Sequence, residues 1–508
     1  MPMPTQDVTE TMTRLKTLVG EMHDIHGAQG LLGWDLETCM PKAGAGMRAH
    51  QMETLAKLAH EKIMAPELAA VLKDARALAA EGRLEPLDTA LVREFGRDYD
   101  QQIKLPAAFV QELSHTTSEA HPIWVEAREK KDFSLFAPIL TRIIDLNRQQ
   151  AEIYGYQDSP YDALLDLYEP DLTVKQLDAL FPPLREELVT LIEKMKAATS
   201  PPTRDCLTRN FDVDKQWAFS EYLLGVIHFD TDAGRLDKAV HPFTSGSSHA
   251  DVRLTTRIHE DDLFAGIGST LHEGGHGLYE QGLDPALART PLSGGTSLGM
   301  HESQSRLWEN MVGRSKPFWQ AQYPRLQAMF PEQLDKVNLD AFYRALNVVA
   351  PSFIRVEADE VTYNLHIIIR YEIERALIEG RMQAGDIPAA WNEKYTQYLG
   401  ITPPDDGVGC LQDVHWSHGS FGYFPTYTLG NLYAAQIFNT IGLRQPDVLK
   451  AIPQGDLAPL RSWLKKEIHH VGRSETADTI ARRVTGESLN SRYFADYLNR
   501  KYAGVYGL

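Results

Sequence analysis

From its beginning to about Phe229, the chain sets apolar residues three and four positions apart in almost every segment. That spacing belongs to helices with one buried face, and it leaves little room for a fold built on sheets. It predicts helices over residues 5–23, 48–63, 65–80, 86–103, 107–128, 136–154 and 174–198. Gly, Pro, Asn or Asp marks the breaks, as at Gly82, Pro106 and Asp158-Ser159-Pro160. Helical spacing resumes later, over 316–330, 331–346, 358–379, 389–399, 426–441, 446–452, 460–471 and 488–502. No heptad persists and no fixed period recurs, so these helices are expected to pack into a core. With 508 residues, 43% of them hydrophobic, that core can be large. No low-complexity linker divides the chain, and the expectation is one mainly α domain over residues 1–508.

One stretch departs from the helical pattern. Residues 236–243 (LDKAVHPF) and 252–258 (VRLTTRI) read as a β-hairpin joined by a Gly/Ser-rich turn at 244–249 (TSGSSH). Alternation in the second run fits a strand with one wet face. A short hairpin among helices has an open edge, where a peptide could add a strand. A plain structural flap would carry the same pattern.

Directly after it comes Leu271-His272-Glu273-Gly274-Gly275-His276-Gly277. Two histidines four apart on a helix project from one face, one turn above the other. Their imidazoles can share a metal ion, with the intervening glutamate beside the ion's open side. This is the HExxH arrangement of histidine ligands and a glutamate general base. Residues 261–270 (DDLFAGIGST) read as the amphipathic start of its helix. Gly274 and Gly275 cost that helix on the order of 1 kcal/mol each relative to alanine, which suggests room kept for a metal-bound substrate. A catalytic zinc usually has a third protein ligand. Glu280, His301, Glu302 and Glu309 are the candidates, and Glu302, behind the Gly/Pro-rich loop 285–299, is favoured over Glu309. Glu280 would have to bend back, and His301 reads as a supporting or core residue.

The 51 Lys and Arg against 69 Asp and Glu give a net charge of −18, which argues against nucleic acid as a partner. Cys39, Cys206 and Cys410 form no CxxC pair and fit free thiols in a reducing, cytoplasmic setting. Neither an apolar leader nor a membrane-spanning run is legible, so no membrane partner is expected.

Five motifs now stand in order: DVRLT at 251–255, HExxH at 272–276, HESQ at 301–304, IRVEAD at 354–359 and GCLQDVHW at 409–416. With Trp34-Asp35 and Met40-Pro41 near the start, the chain resembles the carboxypeptidase Taq family of metallocarboxypeptidases over nearly its full length. The resemblance implies a neurolysin-like helical fold with a deep groove: residues 1–229 as one wall, 230–508 carrying the hairpin, metal site and substrate-binding motifs. It also implies a homodimer that removes C-terminal residues from peptides, with one zinc or cobalt ion per chain.

On that reading His272, His276 and Glu302 hold the metal, which acidifies a water whose proton Glu273 takes. The segment 415–427 (HWSHGSFGYFPTY) offers His415 and Tyr427 for oxyanion and substrate contacts, with Tyr423 as the second choice. An Arg fork suits the free C-terminal carboxylate of a substrate, and Arg355 is preferred to Arg253. Either arginine could instead sit in a structural ion pair. An endo-oligopeptidase of the same chemistry is the competing function, and a C-terminally amidated peptide separates the two. A scaffold with a structural metal is disfavoured, because such sites are usually closed and cysteine-rich.

Overall fold

The computed structural model describes residues 8–508. Helices occupy most of them, and the expected spans agree with the structure to within a few residues over much of the chain. Residues 86–103, for example, fall in Pro86–Lys104, and 174–198 in Val174–Lys196. The expected helix 331–346 divides into Pro331–Leu334 and Leu339–Leu346, the second opened by Asn338 as N-cap. Asp158-Ser159-Pro160 does more than break the chain. Ser159 caps a short helix, Pro160–Leu165, with proline at its first position.

The first helix runs over Val8–Thr38, well past the expected end at residue 23; the expected start at 5–7 lies outside the described residues. Gly27 and Gly30 look like breakers in the sequence, yet both lie inside this helix where it crosses the sheet. A Cβ at Gly27 would sit 3.4 Å from Ser247 Cβ, and one at Gly30 3.6 Å from the Gly246 carbonyl oxygen. Both distances are ordinary contacts, so the helix crosses the strand there without needing glycine.

The sheet has three strands: β1 (Gly234–Lys238), β2 (Thr244–Ser248) and β3 (Asp251–Thr256), in the order β1-β3-β2. β3 pairs antiparallel with β2 and parallel with β1. The expected hairpin is therefore displaced. Residues 244–248, read as its turn, are a strand, and the hairpin is β2–β3. Gly246 sits at an irregularity in the pairing with β3, where a Cβ would lie 2.4 Å from the Asp251 carbonyl oxygen. Val252 and Leu254 of β3 are fully buried, Leu254 against Gly277 of the helix Leu263–Gly282. Between them Arg253 points to the opposite face, over the Trp34 ring of the first helix at 4.4 Å, and Arg235 of β1 covers the same ring at 5.0 Å.

Two apolar clusters hold the chain together. The larger draws on residues from Ala120 to Tyr506. The smaller unites the helices Val8–Thr38, Ala45–Ile63, Pro66–Ala80 and Pro86–Lys104 through residues such as Leu15, Leu72 and Phe95, with Leu287 and Leu292 joining from the body.

Candidate metal centre

Asp262 opens the helix Leu263–Gly282, its carboxylate accepting from the backbone N–H of Phe264 and Ala265. His272, His276 and Glu280 follow at intervals of four along one face. Gly274 and Gly275 leave two positions of the packed side bare, for a reason that differs from the sequence expectation. A Cβ at Gly275 would lie 2.6 Å from the Gln304 carbonyl oxygen and 2.7 Å from Ser305 Cα. One at Gly274 would meet Ile227 Cδ1 at 2.5 Å. The room these glycines keep is for packing, with Gly275 admitting the backbone of the neighbouring helix Leu298–Arg306.

That neighbour carries Glu302. Ser297 caps it, and the buried carboxylate of Glu169 completes its N-terminus, accepting from Ser297 Oγ at 2.8 Å and from the Gly299 N–H at 2.9 Å. Burial pushes Glu169 up to about 7. On the far side, a Cβ at Gly430 would overlap Glu302 itself, 2.4 Å from its Cγ. The position of Glu302 is fixed from three directions.

Glu302 Oε2 lies 3.5 Å from His272 Nε2 and 3.3 Å from His276 Nε2. The three ligand atoms fall within 4.8 Å of one another. Both imidazoles are held by their other nitrogen. His272 Nδ1 is 2.8 Å from Glu309 Oε2. His276 Nδ1 is 2.6 Å from His301 Nδ1, and His301 Nε2 is 2.7 Å from Glu280 Oε1. With hydrogens on Nδ1 of both histidines and on Nε2 of His301, every contact is satisfied and both Nε2 lone pairs face Glu302. Burial and the neighbouring His301 draw His276 down to about 3, so its imidazole is neutral. For Glu302 burial works against ionisation, but Arg306 and the two imidazoles outweigh it and hold the carboxyl well below its usual range. His272 moves the other way: against burial, Glu302 and Glu309 raise it above its ordinary value. Two imidazole nitrogens and one carboxylate, with no fourth protein ligand gathered by the described residues, fit a divalent cation with an open position.

Glu309, the alternative third ligand, backs His272. It sits in a π-helical segment, Leu307–Val312, that continues the Glu302 helix. Arg306 ties the two carboxylates, donating to Glu302 Oε1 at 2.6 Å and to Glu309 Oε2 at 3.2 Å. Glu273 is buried, and its Oε2 accepts from Thr244 Oγ1 of β2 at 2.7 Å. Burial raises its carboxyl above the ordinary value, against the pull of His272.

The loop expected to supply substrate contacts packs against Arg355. His415 Nε2 is 3.4 Å from the Tyr427 hydroxyl, and the Tyr423 ring meets Tyr427 edge-on at 5.4 Å. Burial brings His415 down to about 4, with Asp413 opposing and Arg355 assisting. Arg355, only 6% exposed, donates from Nε to Asp413 Oδ1 at 2.9 Å and from Nη1 to the Tyr363 hydroxyl at 3.2 Å. Arg370 donates to the other Asp413 oxygen at 2.7 Å. The Tyr363 ring also lies under Arg306, at 4.3 Å. A chain of contacts thus runs from Glu302 through Arg306 and Tyr363 to Arg355, whose guanidinium stands 5.1 Å over the Tyr427 ring. Arg253 is not part of it: paired with Asp251 at 2.8 Å, it sits on the outer sheet face under Trp34. Cys410 is buried, and burial drives its thiol pKa up, so it is unreactive.

Sequence reasoning missed Thr244, Glu169 and Asp413 as supports of the site. Thr244 was hidden in an apparent turn. Asp413 had a signal, since it falls in the motif that also contains His415. Glu169, in YEPD, had none.

A family model of the carboxypeptidase Taq (M32) metallopeptidases matches residues 14–502. The chain belongs to this family. Carboxypeptidase 1 of Bacillus subtilis is 43% identical over 482 residues, 94% of this chain and 95% of that protein. Thermostable carboxypeptidase 1 of Pyrococcus furiosus is 38% identical over 97% of this chain and 98% of its own. Among solved structures, the M32 carboxypeptidase from Deinococcus radiodurans superposes with a TM-score of 0.95 at 38% identity, covering 98% of this chain and all of that one. Metallocarboxypeptidase 1 of Trypanosoma cruzi gives 0.91 at 36% identity, over 97% and 99%. As an M32 carboxypeptidase, the chain is a metal-dependent peptide hydrolase with the family's helical fold. No helix among the described residues is long and apolar enough to cross a membrane.

Proposed function

We propose that His272, His276 and Glu302 hold one zinc ion, cobalt being the alternative, and that Glu273 is the general base for release of the C-terminal residue of a peptide. One observation carries this reading: two imidazole Nε2 atoms converge on a single carboxylate oxygen, 3.5 and 3.3 Å away, each imidazole backed through Nδ1. When bound, the metal would supply Lewis acidity, acidifying water and polarising the scissile carbonyl. The protein's own groups do the rest. Glu273, raised by burial, takes a proton from water and passes it to the leaving amine, and the Thr244 hydroxyl fixes its carboxylate. Tyr427 and His415, with Tyr423 beside them, donate to the developing oxyanion and the substrate backbone.

Arg355 grips the substrate's terminal carboxylate. Its Nε and Nη2 both lie 2.9 Å from Asp413 Oδ1 and its Nη1 donates to Tyr363, which leaves one N–H on each Nη for the peptide. Binding energy there becomes orientation of the last peptide bond over the metal. The open edge of β2, which begins at Thr244, is suited to pair with the upstream backbone. Residues 1–508 act as one unit, a homodimer in the cytoplasm, consistent with three free cysteines.

A double cycle tests the carboxylate assignment. Amidating the substrate removes a charged partner from a buried site and is expected to lower kcat/KM by about one and a half to more than three decades. Arg355→Ala should lose a similar amount on the free acid, with little further penalty from amidation. Two additive penalties would make Arg355 a structural partner of Asp413 only.

A further inference from the structure

A cavity of about 260 Å³ opens at the other end of the metal-binding face. Its walls include His23 and His26 of the first helix, Ser245 and Gly246 of β2, Ser293, and Glu280. Along the helix Leu263–Gly282, His272, His276 and Glu280 follow one another by four residues. The contacts through Arg306 and Tyr363 to Arg355 leave from Glu302 and from Glu309, which backs His272. The cavity therefore lies beyond His276, on the side away from the proposed carboxylate grip. One helical turn advances about 5.4 Å and an extended peptide about 3.3 Å per residue. A substrate anchored at Arg355 thus reaches Glu280 with the residue one or two positions before the scissile bond.

The cavity's chemistry is one-sided. Among the described residues that line it, Glu280 is the single acid, and none is Lys or Arg. Glu280 is half-buried, with Oε1 held by His301 at 2.7 Å. Burial lowers His23 below its ordinary value, which favours the neutral imidazole and leaves it a nitrogen that can accept. Ser245 Oγ is buried without a hydrogen-bond partner. Arg289, the cation that acts on His23, is paired with Asp24, 2.5 Å away. A single carboxylate among hydroxyl and imidazole groups that can accept, with no lining Lys or Arg, suits a cation.

Resting on the carboxypeptidase reading above, we propose that this cavity is a subsite for a cationic group of the peptide, with Glu280 as its counter-charge. The cation is either a Lys or Arg side chain one or two positions before the scissile bond, or the free amino terminus of a short peptide. Nothing in the geometry of the carboxylate grip requires such a preference. It adds a second, upstream criterion to substrate choice.

Acetylated tetrapeptides Ac-Ala-Ala-X-Leu and Ac-Ala-X-Ala-Leu, with X as Lys or norleucine, test the side-chain source. Ala-Ala-Leu and its acetylated form test the amino terminus. A charge-assisted contact predicts about a tenfold or greater preference in kcat/KM for the cationic member of at least one pair, at low ionic strength. In Glu280→Gln that ratio is expected to collapse to within about twofold. Because each ratio compares two substrates on one protein, any loss of metal through His301 cancels. Should Glu280→Gln prove inactive, His26→Glu places a second carboxylate in the cavity away from the metal ligands and should raise the ratio at least severalfold. No preference in the wild type, a preference that survives Glu280→Gln, or one that His26→Glu leaves unchanged would overturn the assignment. Failure to release leucine from any peptide would instead sink the carboxypeptidase reading on which it rests.

Discussion

Gly275→Ala separates ligand placement from stability. Its new methyl would stand 2.6 Å from the Gln304 carbonyl oxygen, and ordinary contacts begin near 3.4 Å, so the two helices must part by about 0.8 Å. Alanine returns about 1 kcal/mol of helix propensity, while overpacking costs roughly 1–3 kcal/mol. The net loss is at most about 2 kcal/mol, or about 2 °C in Tm for a chain of this length. Glu302 is two residues from the point of collision, and ligand distances tolerate only about 0.2 Å. Zinc affinity should therefore fall by at least tenfold to a hundredfold, well out of proportion to the stability change. Gly274→Ala is the control, since its methyl meets only the flexible end of Ile227. Zinc competition against a fluorescent chelator, paired with melting of the metal-free protein, reads both quantities. Near-wild-type affinity in Gly275→Ala, or equal losses in the two variants, would refute the reasoning.

Glu273→Gln should keep its metal and fold yet lose about 10²–10⁴ in turnover, and a wild-type rate would remove Glu273 from the mechanism. Glu309→Gln should weaken metal binding about 10- to 100-fold by freeing His272, and Glu302→Gln should weaken it more; the reverse order, measured by the same competition, would exchange their roles. Glu169 is raised from 4.5 to about 7 by burial, so the folded protein binds its proton more tightly than the unfolded chain. Its contribution is fully present below about pH 4.5 and is lost as pH rises through about 7, on the order of 3 kcal/mol. Melting of the metal-free protein should thus show a shallower decline between pH 5 and 8 in Glu169→Gln, and an unchanged slope would mean that Glu169 does not titrate there.

What was legible in the sequence was whatever a local period encodes. His272 and His276 could be paired because a helix fixes where residue i+4 points. Glu302 could be reached because a loop rich in Gly and Pro lets the chain reverse. Glycine was the main source of error. Gly246 and Gly275 each stand where two backbones approach, and composition alone cannot distinguish that from a turn or from space for a ligand. β2 was read as a turn for this reason. The supports of the site, Glu169 on the Glu302 helix and Asp413 between two arginines, bridge residues 130 and 58 positions apart, which no window along the chain contains.

The four N-terminal helices share an apolar cluster separate from that of the body. They hold the body through Leu287 and Leu292, the Arg289–Asp24 and Arg473–Asp98 ion pairs, and the outer face of the sheet. A layer with its own core can detach without unfolding, as a cooperative unit whose opening free energy lies below that of the whole chain. Its amides facing the sheet should then exchange with solvent hydrogen faster than those of the helix Leu263–Gly282. The same layer roofs the cavity beside β2 through His23 and His26. Peptide capture and amide exposure would draw on one opening equilibrium, so an uncleaved peptide analogue that bridges roof and floor should slow exchange across all four helices at once.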